Sequence, residues 1–240
     1  MLYRGQRRRE WLLDSTFVRS CKSIIFGIPV EQKLKASFVE SSNYHHALVA
    51  LYLLKFSEIV QPSEELYALE KSKGIDAWFE LLKRMQQHPE IDTSAIKGSN
   101  FVDWSESSDI ALYFANEGRD GEGAVFVCDA SSTGKTIPLK SVDEVLNLMA
   151  EIRDKGQALG APLLFSPERQ IAYQRAKNQQ ARYFSQMDMR YDLESIWRKR
   201  ESELQGQTVL VKVVLAAESV DEANEYLQAN GISRDFVYPS

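Results

Sequence analysis

The opening segment places an arginine and a glycine directly after an apolar pair. Leu2 and Tyr3 fit the end of a strand that must be buried, and Arg4 then leaves that strand beside Gly5. A glycine at such a point lets the backbone approach a ligand closely. A guanidinium held in this way offers a fixed fork of donors that suits phosphate or carboxylate. The same residues also fit an exposed arginine on an edge strand.

A second segment with chemical potential joins a strand to a helix. Asp103 and Trp104 stand between an apolar pair and the N-terminus of a predicted helix. Such a terminus presents free backbone N–H groups and the positive end of a dipole. Ser105 can cap this helix or donate to a ligand, and Trp104 can stack on a planar ring. The alternative is a plain capped helix with Trp104 in the core.

Paired amides lie between basic residues in a third segment, residues 175–185. Gln179 and Gln180 follow Arg175 at a short distance along the chain. Because an amide both donates and accepts hydrogen bonds, this pair can read a nucleobase edge or a carboxamide. An ordinary polar segment is the alternative.

Charge and composition narrow the function classes. Arg7, Arg8 and Arg9 follow Arg4, and such a run fits either a solvated basic turn or an anionic ligand site. A net charge of −5 argues against nucleic-acid binding by charge alone.

The two cysteines and three histidines lack the spacing of a metal site, and no GxSxG, P-loop or GxGxxG motif occurs. The chain has neither a signal-peptide pattern nor a membrane-length apolar run, so a cytoplasmic protein with buried thiols is expected.

The periodicity predicts one helix-rich α+β domain over residues 1–240, built around a small mixed or split β-sheet. Predicted helices cover residues 30–56, a stretch starting at Ser63, residues 75–87, 109–116, 142–156 and 220–229. Ser105, Ser107 or Ser108 caps the helix at 109–116, and Ser219 caps the last one. Predicted strands cover residues 124–128, in the middle of the sheet, 207–216 and 236–238. The glutamates at 151, 194, 201 and 203 fit solvated helix faces.

These motifs, in this order, resemble the FRG domain family, whose aromatic-Arg-Gly opening stands here as Tyr3-Arg4-Gly5. The family's further motifs are matched by Gln87-His88, Val102–Ser105 with Ala111–Ala115, Gly123–Val127, and Arg175 with Gln179 and Tyr183. The resemblance covers nearly the whole chain. The family occurs in bacterial and phage proteins, often in settings that suggest toxins or anti-phage defence. Together with the segments above, it implies ligand-binding roles for Tyr3, Arg4, Gly5, Gln6, His88, Asp103, Trp104, Arg175 and Gln180.

A second resemblance is to the arginine–serine–glutamate layout of ADP-ribosyltransferases, which implies a similar fold and NAD as the cofactor. On that layout Arg4 holds an NAD phosphate or ribose, Ser105 steadies the nicotinamide side and Trp104 flanks it. Gln179 stands at the third catalytic position, where an amide binds a ribose hydroxyl but cannot act as a base. The resemblance therefore implies an NAD-type nucleotide-binding domain, with transferase activity as its catalytic form. The alternative is a non-catalytic module that recognises nucleic acid or a phage protein through the same cleft.

Overall fold

A computed structural model describes the elements that surround the N-terminal motif. The described residues are 1–35, 37, 47, 48, 50, 51, 55, 92, 94–133, 163–165, 174–186 and 188–239. The helices predicted at 75–87, at 142–156 and from Ser63 lie outside these residues, as does most of the helix predicted at 30–56. His88 also lies outside them. No helix in the described parts is long and apolar enough to cross a membrane.

Among the described residues, six antiparallel strands form one sheet in the order β4-β5-β2-β1-β3-β6. The strands are β1 Leu2–Gln6, β2 Phe101–Ser105, β3 Gly123–Cys128, β4 Leu163–Phe165, β5 Ala181–Ser185 and β6 Leu210–Leu215. The prediction of an α+β architecture is confirmed. The expectation of a mixed or split sheet is not met, because every described strand pair is antiparallel and the described strands lie in one sheet.

Short helices connect and cover the strands. They are α1 Thr16–Ser20, α2 Ser108–Asn116, α3 Gln174–Asn178, α4 Leu193–Glu203, α5 Val220–Ala229 and α6 Arg234–Val237. A π-helical turn, Cys21–Ile25, continues α1, and 3-10 turns occupy Ala130–Ser132 and Ala217–Ser219.

The main core lies between one face of the sheet and α4. Trp104 of β2, Phe184 of β5 and Trp197 of α4 meet edge-on, with ring centroids 5.0 to 5.7 Å apart. Leu2 and Phe126 belong to the same buried cluster. Edge-to-face aromatic contacts add to the burial of apolar area, so this cluster fixes the centre of the sheet against α4.

The opposite face of β1 is covered by α2. A Cβ atom on Gly5 would lie 1.8 Å from the carbonyl oxygen of Ala111 and 2.5 Å from the backbone nitrogen of Ala115. Two small residues one helical turn apart therefore let the helix backbone rest directly on the strand. A second buried cluster then joins α2 to the C-terminal helices through Ile110, Tyr113, Leu227 and Val237.

Several predicted elements occur where periodicity and caps placed them. The helices at 108–116 and 220–229 and the strands at 123–128 and 210–215 agree with the prediction to within a few residues. Ser107 is the residue that caps α2, because its side chain accepts from the backbone nitrogen of Ile110. The prediction of a strand at 236–238 is wrong. Ser233 caps a short helix there by accepting from the nitrogen of Phe236.

Candidate functional site

Strands β1 and β2 separate soon after they meet. They are paired at one position, Tyr3 opposite Ser105, whereas β1 is paired with β3 along its whole length. Continued pairing would place Gly5 opposite Asp103. Instead, Nη1 of Arg4 donates to the main-chain carbonyl of Asp103. An arginine side chain therefore stands in for a ladder hydrogen bond where the two strands diverge.

A cavity of about 340 Å³ lies at this point of divergence. Its volume is at the small end of the range for ligand pockets, roughly 300 to 1,000 Å³. Most of the candidate residues named from the sequence line it: Tyr3, Arg4, Gly5, Gln6, Asp103, Trp104, Ser105, Arg175 and Gln179. Strands β1 and β2 and helix α3 thus bring three separate sequence segments to one cavity.

Arg4 is the dominant charge of the cavity. Its Nε atom is buried and has no hydrogen-bond partner among the described residues. Burial, and then the charge of Arg19, lower the pKa of Arg4 to about 10, and the charge of Asp103 only partly offsets this. The guanidinium is still charged at neutral pH. It is a desolvated cation with spare donor capacity, and such a group favours an anion.

Arg19 adds a second cation that sequence reasoning missed. It belongs to α1, lines the cavity, and donates from Nη2 to the hydroxyl of Thr16. Burial lowers its pKa, while Asp14 and Asp103 act in the opposite direction. None of the ion pairs found among the described residues involves Arg4 or Arg19. The two cations reinforce each other as an anion site.

A buried polar network supports α1 behind the cavity. Asp14 pairs with Lys22, and both side chains are almost completely buried. Gln186 donates to Asp14 and accepts from the backbone nitrogen of Ser15. Burial raises the pKa of Asp14, although Lys22 opposes the shift. Because its members are mutually satisfied, this network acts as scaffold for Arg19.

Ser105 and Gln179 reach the cavity but make structural hydrogen bonds. The Ser105 hydroxyl donates to the carbonyl of Gln179 at 2.7 Å and accepts from the nitrogen of Ser107 at 2.9 Å. The Gln179 amide donates to the carbonyl of Val237 at 3.0 Å. Both side chains therefore hold β2, α3 and α6 together at the cavity wall. Gln180, by contrast, is exposed and is not among the lining residues.

Packing accounts for two of the residues named as candidate ligand contacts, Trp104 and Gly5. Trp104 lines the cavity, but it is 3% exposed and its ring packs in the core, so it is not placed to stack on a ligand. Gly5 is required by the close approach of α2 rather than by a ligand. In both cases strand alternation sends the residue toward a packed layer.

Of the remaining N-terminal residues, some make structural contacts and some line the cavity. Gln6 is buried and donates to the carbonyl of Leu12, while its Oε1 atom has no partner among the described residues. Arg8 and Arg9 pair with Asp120 and Glu122 on the surface. Arg7 lines the cavity instead, with its guanidinium 5.6 Å from the ring centre of Trp11. The arginine run is thus mostly an ion-paired surface turn that sends one residue to the cavity.

A carboxylate that the sequence did not single out completes the wall. Glu117 follows the last turn of α2 and lines the cavity. It accepts from the hydroxyls of Tyr113 and Tyr238. Arg175 lies over the ring of Tyr238, 4.6 Å from its centre. No sequence signal marked Glu117 or Arg19, because a single polar residue near a helix end has the pattern of an ordinary surface position.

The fold and the cavity define an α+β domain whose antiparallel sheet presents a partly buried arginine to a ligand-sized space. The family model of the FRG domain matches residues 1–123, just over half of the chain. The protein therefore belongs to the FRG domain family. The match contains β1, α1, β2 and α2, while Arg175 and Gln179 lie beyond it. No curated protein and no solved structure shows significant similarity to the chain.

Proposed function

We propose that the cavity binds a nucleotide by its phosphate groups and that NAD-type dinucleotides belong to its ligand class. The observation that carries this proposal is the state of Arg4, a partly buried guanidinium whose Nε atom is buried and has no hydrogen-bond partner among the described residues, beside a second arginine. Two like charges in a low-dielectric setting repel each other. A phosphate relieves that repulsion and accepts from both guanidinium groups.

Aromatic surface in the same cavity favours a nucleotide over a bare anion. Tyr3, Trp11 and Phe114 line it and are partly exposed, unlike the buried Trp104. Partly exposed rings provide faces on which a nucleobase or nicotinamide can stack. The combination of arginines and aromatic rings fits the phosphate and the base of one molecule.

The described residues fit NAD as a bound ligand better than they fit transferase chemistry. Arg4 and Arg19 would hold its pyrophosphate, and Trp11 or Phe114 a ring. Ser105 and Gln179 are already bonded to main-chain groups, so neither is free to serve as a base or to steady a developing charge. We therefore favour nucleotide binding without turnover.

Calorimetric titration of the wild-type protein with ADP and with NAD tests the proposal. Arg4→Ala should weaken both by roughly ten- to a hundredfold, because it removes charge-assisted hydrogen bonds to phosphate. Arg8→Ala is the matched control, since Arg8 is an exposed arginine of the same segment that does not line the cavity. Thermal unfolding of both variants verifies that they are folded. Failure of the wild type to bind either nucleotide, or equal affinity in the two variants, would overturn the proposal.

A further inference from the structure

Glu117 gives the cavity an acceptor among its arginines. Its side chain is 32% exposed and lines the same cavity as Arg4 and Arg175. An ionised carboxylate only accepts hydrogen bonds, and it repels phosphate. A ligand that fills the cavity must therefore bring an anion to one part of it and hydrogen-bond donors to another.

The neighbours of Glu117 hold its carboxylate in place and leave it able to accept a further hydrogen bond. Its Oε1 accepts from the Tyr113 hydroxyl at 3.0 Å, and its Oε2 from the Tyr238 hydroxyl at 3.2 Å. Arg234 reaches Oε1 at 3.4 Å from a side chain that is 77% exposed. A carboxylate has about four acceptor positions, so at least one remains for a ligand.

The two tyrosines act as donors to Glu117 at neutral pH. Burial, followed by the charge of Glu117, raises the pKa of both Tyr113 and Tyr238. Both hydroxyls therefore stay protonated, and each directs its proton toward the carboxylate. Such doubly held carboxylates are positioned with little freedom to turn away from the cavity.

We propose that Glu117 accepts a hydrogen bond from the ribose hydroxyls of the bound nucleotide, so that the site distinguishes ribonucleotides from analogues without the 2′,3′-diol. This inference rests on the proposed nucleotide function and names the ligand more closely. Arg4 and Glu117 line the same cavity. A phosphate near Arg4 and a sugar near Glu117 can therefore belong to one nucleotide. The cavity lining holds more arginines than carboxylates, so its net charge still favours binding of the phosphate.

The same contacts could serve purely as a clamp between α2 and the C-terminal segment, so the experiment separates the two roles. Affinities for ADP and for 2′,3′-dideoxy-ADP are measured by calorimetry on the whole chain. The two probes share charge and base and differ in the diol. Because a hydrogen bond to a charged group is lost, the wild type should bind ADP roughly tenfold or more tightly than the dideoxy analogue.

Variants then assign that discrimination to the carboxylate. Glu117→Ala should reduce the ratio of the two affinities to near one, and Glu117→Gln to an intermediate value, since the amide keeps an acceptor but loses the charge. Tyr238→Phe removes one of the two hydroxyl donors, but the Tyr113 hydroxyl still holds the carboxylate, so this variant should retain the ratio. Glu122→Gln should also retain it, because Glu122 pairs with Arg9 and does not line the cavity.

The outcomes separate this inference from the proposal on which it rests. Equal affinity of the wild type for both probes, with ADP binding still dependent on Arg4, overturns ribose recognition alone. Discrimination that survives in Glu117→Ala overturns the assignment to Glu117. Loss of discrimination in Tyr238→Phe as well as in the Glu117 variants shows a clamp and also overturns it. If the alanine variant does not fold, the affinities of the wild type and of Glu117→Gln for the two probes still test the role of Glu117. Absence of any ADP binding to the wild type overturns both proposals.

Discussion

At the scale of residues, the aromatic-Arg-Gly motif combines two physical demands in adjacent positions. Arg4 carries charge to the place where β1 and β2 diverge, and it bonds across the gap to Asp103. Gly5 points to the other face, where the backbone of α2 leaves no room for a side chain. The glycine therefore serves packing, and the arginine is the residue available for chemistry.

Gly5→Ala should lower the free energy of unfolding by about 3 kcal/mol, because the added methyl group overlaps the backbone of α2 at Ala111. Denaturant unfolding measures the change. Gly121→Ala is the control, since a Cβ atom at Gly121 meets nothing within 4 Å and its backbone is ordinary. That control should stay within about 0.5 kcal/mol of the wild type. Equal stability of the two variants would contradict the packing role of Gly5.

At the scale of elements, a partly buried carboxylate attaches the edge strand to a helix. Glu201, near the end of α4, accepts from the backbone nitrogens of Val209 and Leu210 at 2.8 and 2.9 Å. Arg198 donates to its second oxygen at 2.9 Å. The sequence favoured a solvated face for this residue, and the contact to β6 corrects that expectation. The strand begins where two N–H groups would otherwise be unpaired.

Glu201→Gln should lower the free energy of unfolding at about pH 7 by about 1 to 2 kcal/mol, because charge-assisted bonds become neutral ones. Burial alone would raise the pKa of Glu201, but the bonds from Leu210, Arg198 and Val209 hold it below its ordinary value of 4.5. The stabilisation is therefore present above pH 4.5 and is lost as the pH falls through the folded-state pKa.

Denaturant unfolding across this pH range should show the wild type and Glu201→Gln converging as the medium becomes acidic. Glu203→Gln is the control, because Glu203 makes an exposed pair with Arg200 on the same helix. Exposed pairs contribute little, so this variant should match the wild type at every pH. A stability gap for Glu201→Gln that does not depend on pH would contradict the assigned role of the charge.

At the scale of the whole molecule, the C-terminal residues brace the wall of the cavity that the N-terminal motif opens. Asn178 and Gln179 donate to the carbonyls of Phe236 and Val237. Tyr238 reaches Glu117 on α2. Segments more than a hundred residues apart in sequence thus form one wall, and the cavity depends on their docking.

Removing residues 234–240 should loosen α2 and α3 while the sheet persists, because Val237 is completely buried between them. Hydrogen exchange should accelerate at residues 108–117 and 174–179 and stay slow in β3 and in the main core. ADP affinity should fall roughly tenfold or more, since the cavity wall loses its order. Phe236→Ala, which trims an exposed side chain of the same helix, should change neither property. Uniformly faster exchange in the truncated chain would contradict a local role of these residues in bracing the cavity wall.

Much of the secondary structure was predictable because its causes are local. Alternation over Val209–Leu215 and the wholly apolar Ala124–Cys128 predicted two strands, and caps with helical periodicity predicted α2 and α5. Strand β5 was missed because its sequence, Ala181–Ser185, mixes a basic and a hydroxyl residue with aromatic ones. Its strand character comes from pairing with β2, a contact that no local pattern encodes.

The sequence by itself indicated that an arginine, flanked by an aromatic residue and a glycine, belongs with the Asp103–Ser105 segment, since their order matches the FRG family over residues 1–123. Only the structure brings Arg175 and Gln179, which lie beyond that match, to the same cavity. The tertiary structure decided which of these residues face the cavity. Strand alternation turned Trp104 into the core and Gly5 against α2, and the folding of distant helices brought Arg19 and Glu117 beside Arg4. Burial, charge repulsion and acceptor geometry arise from such long-range packing, so they appear only in the folded chain.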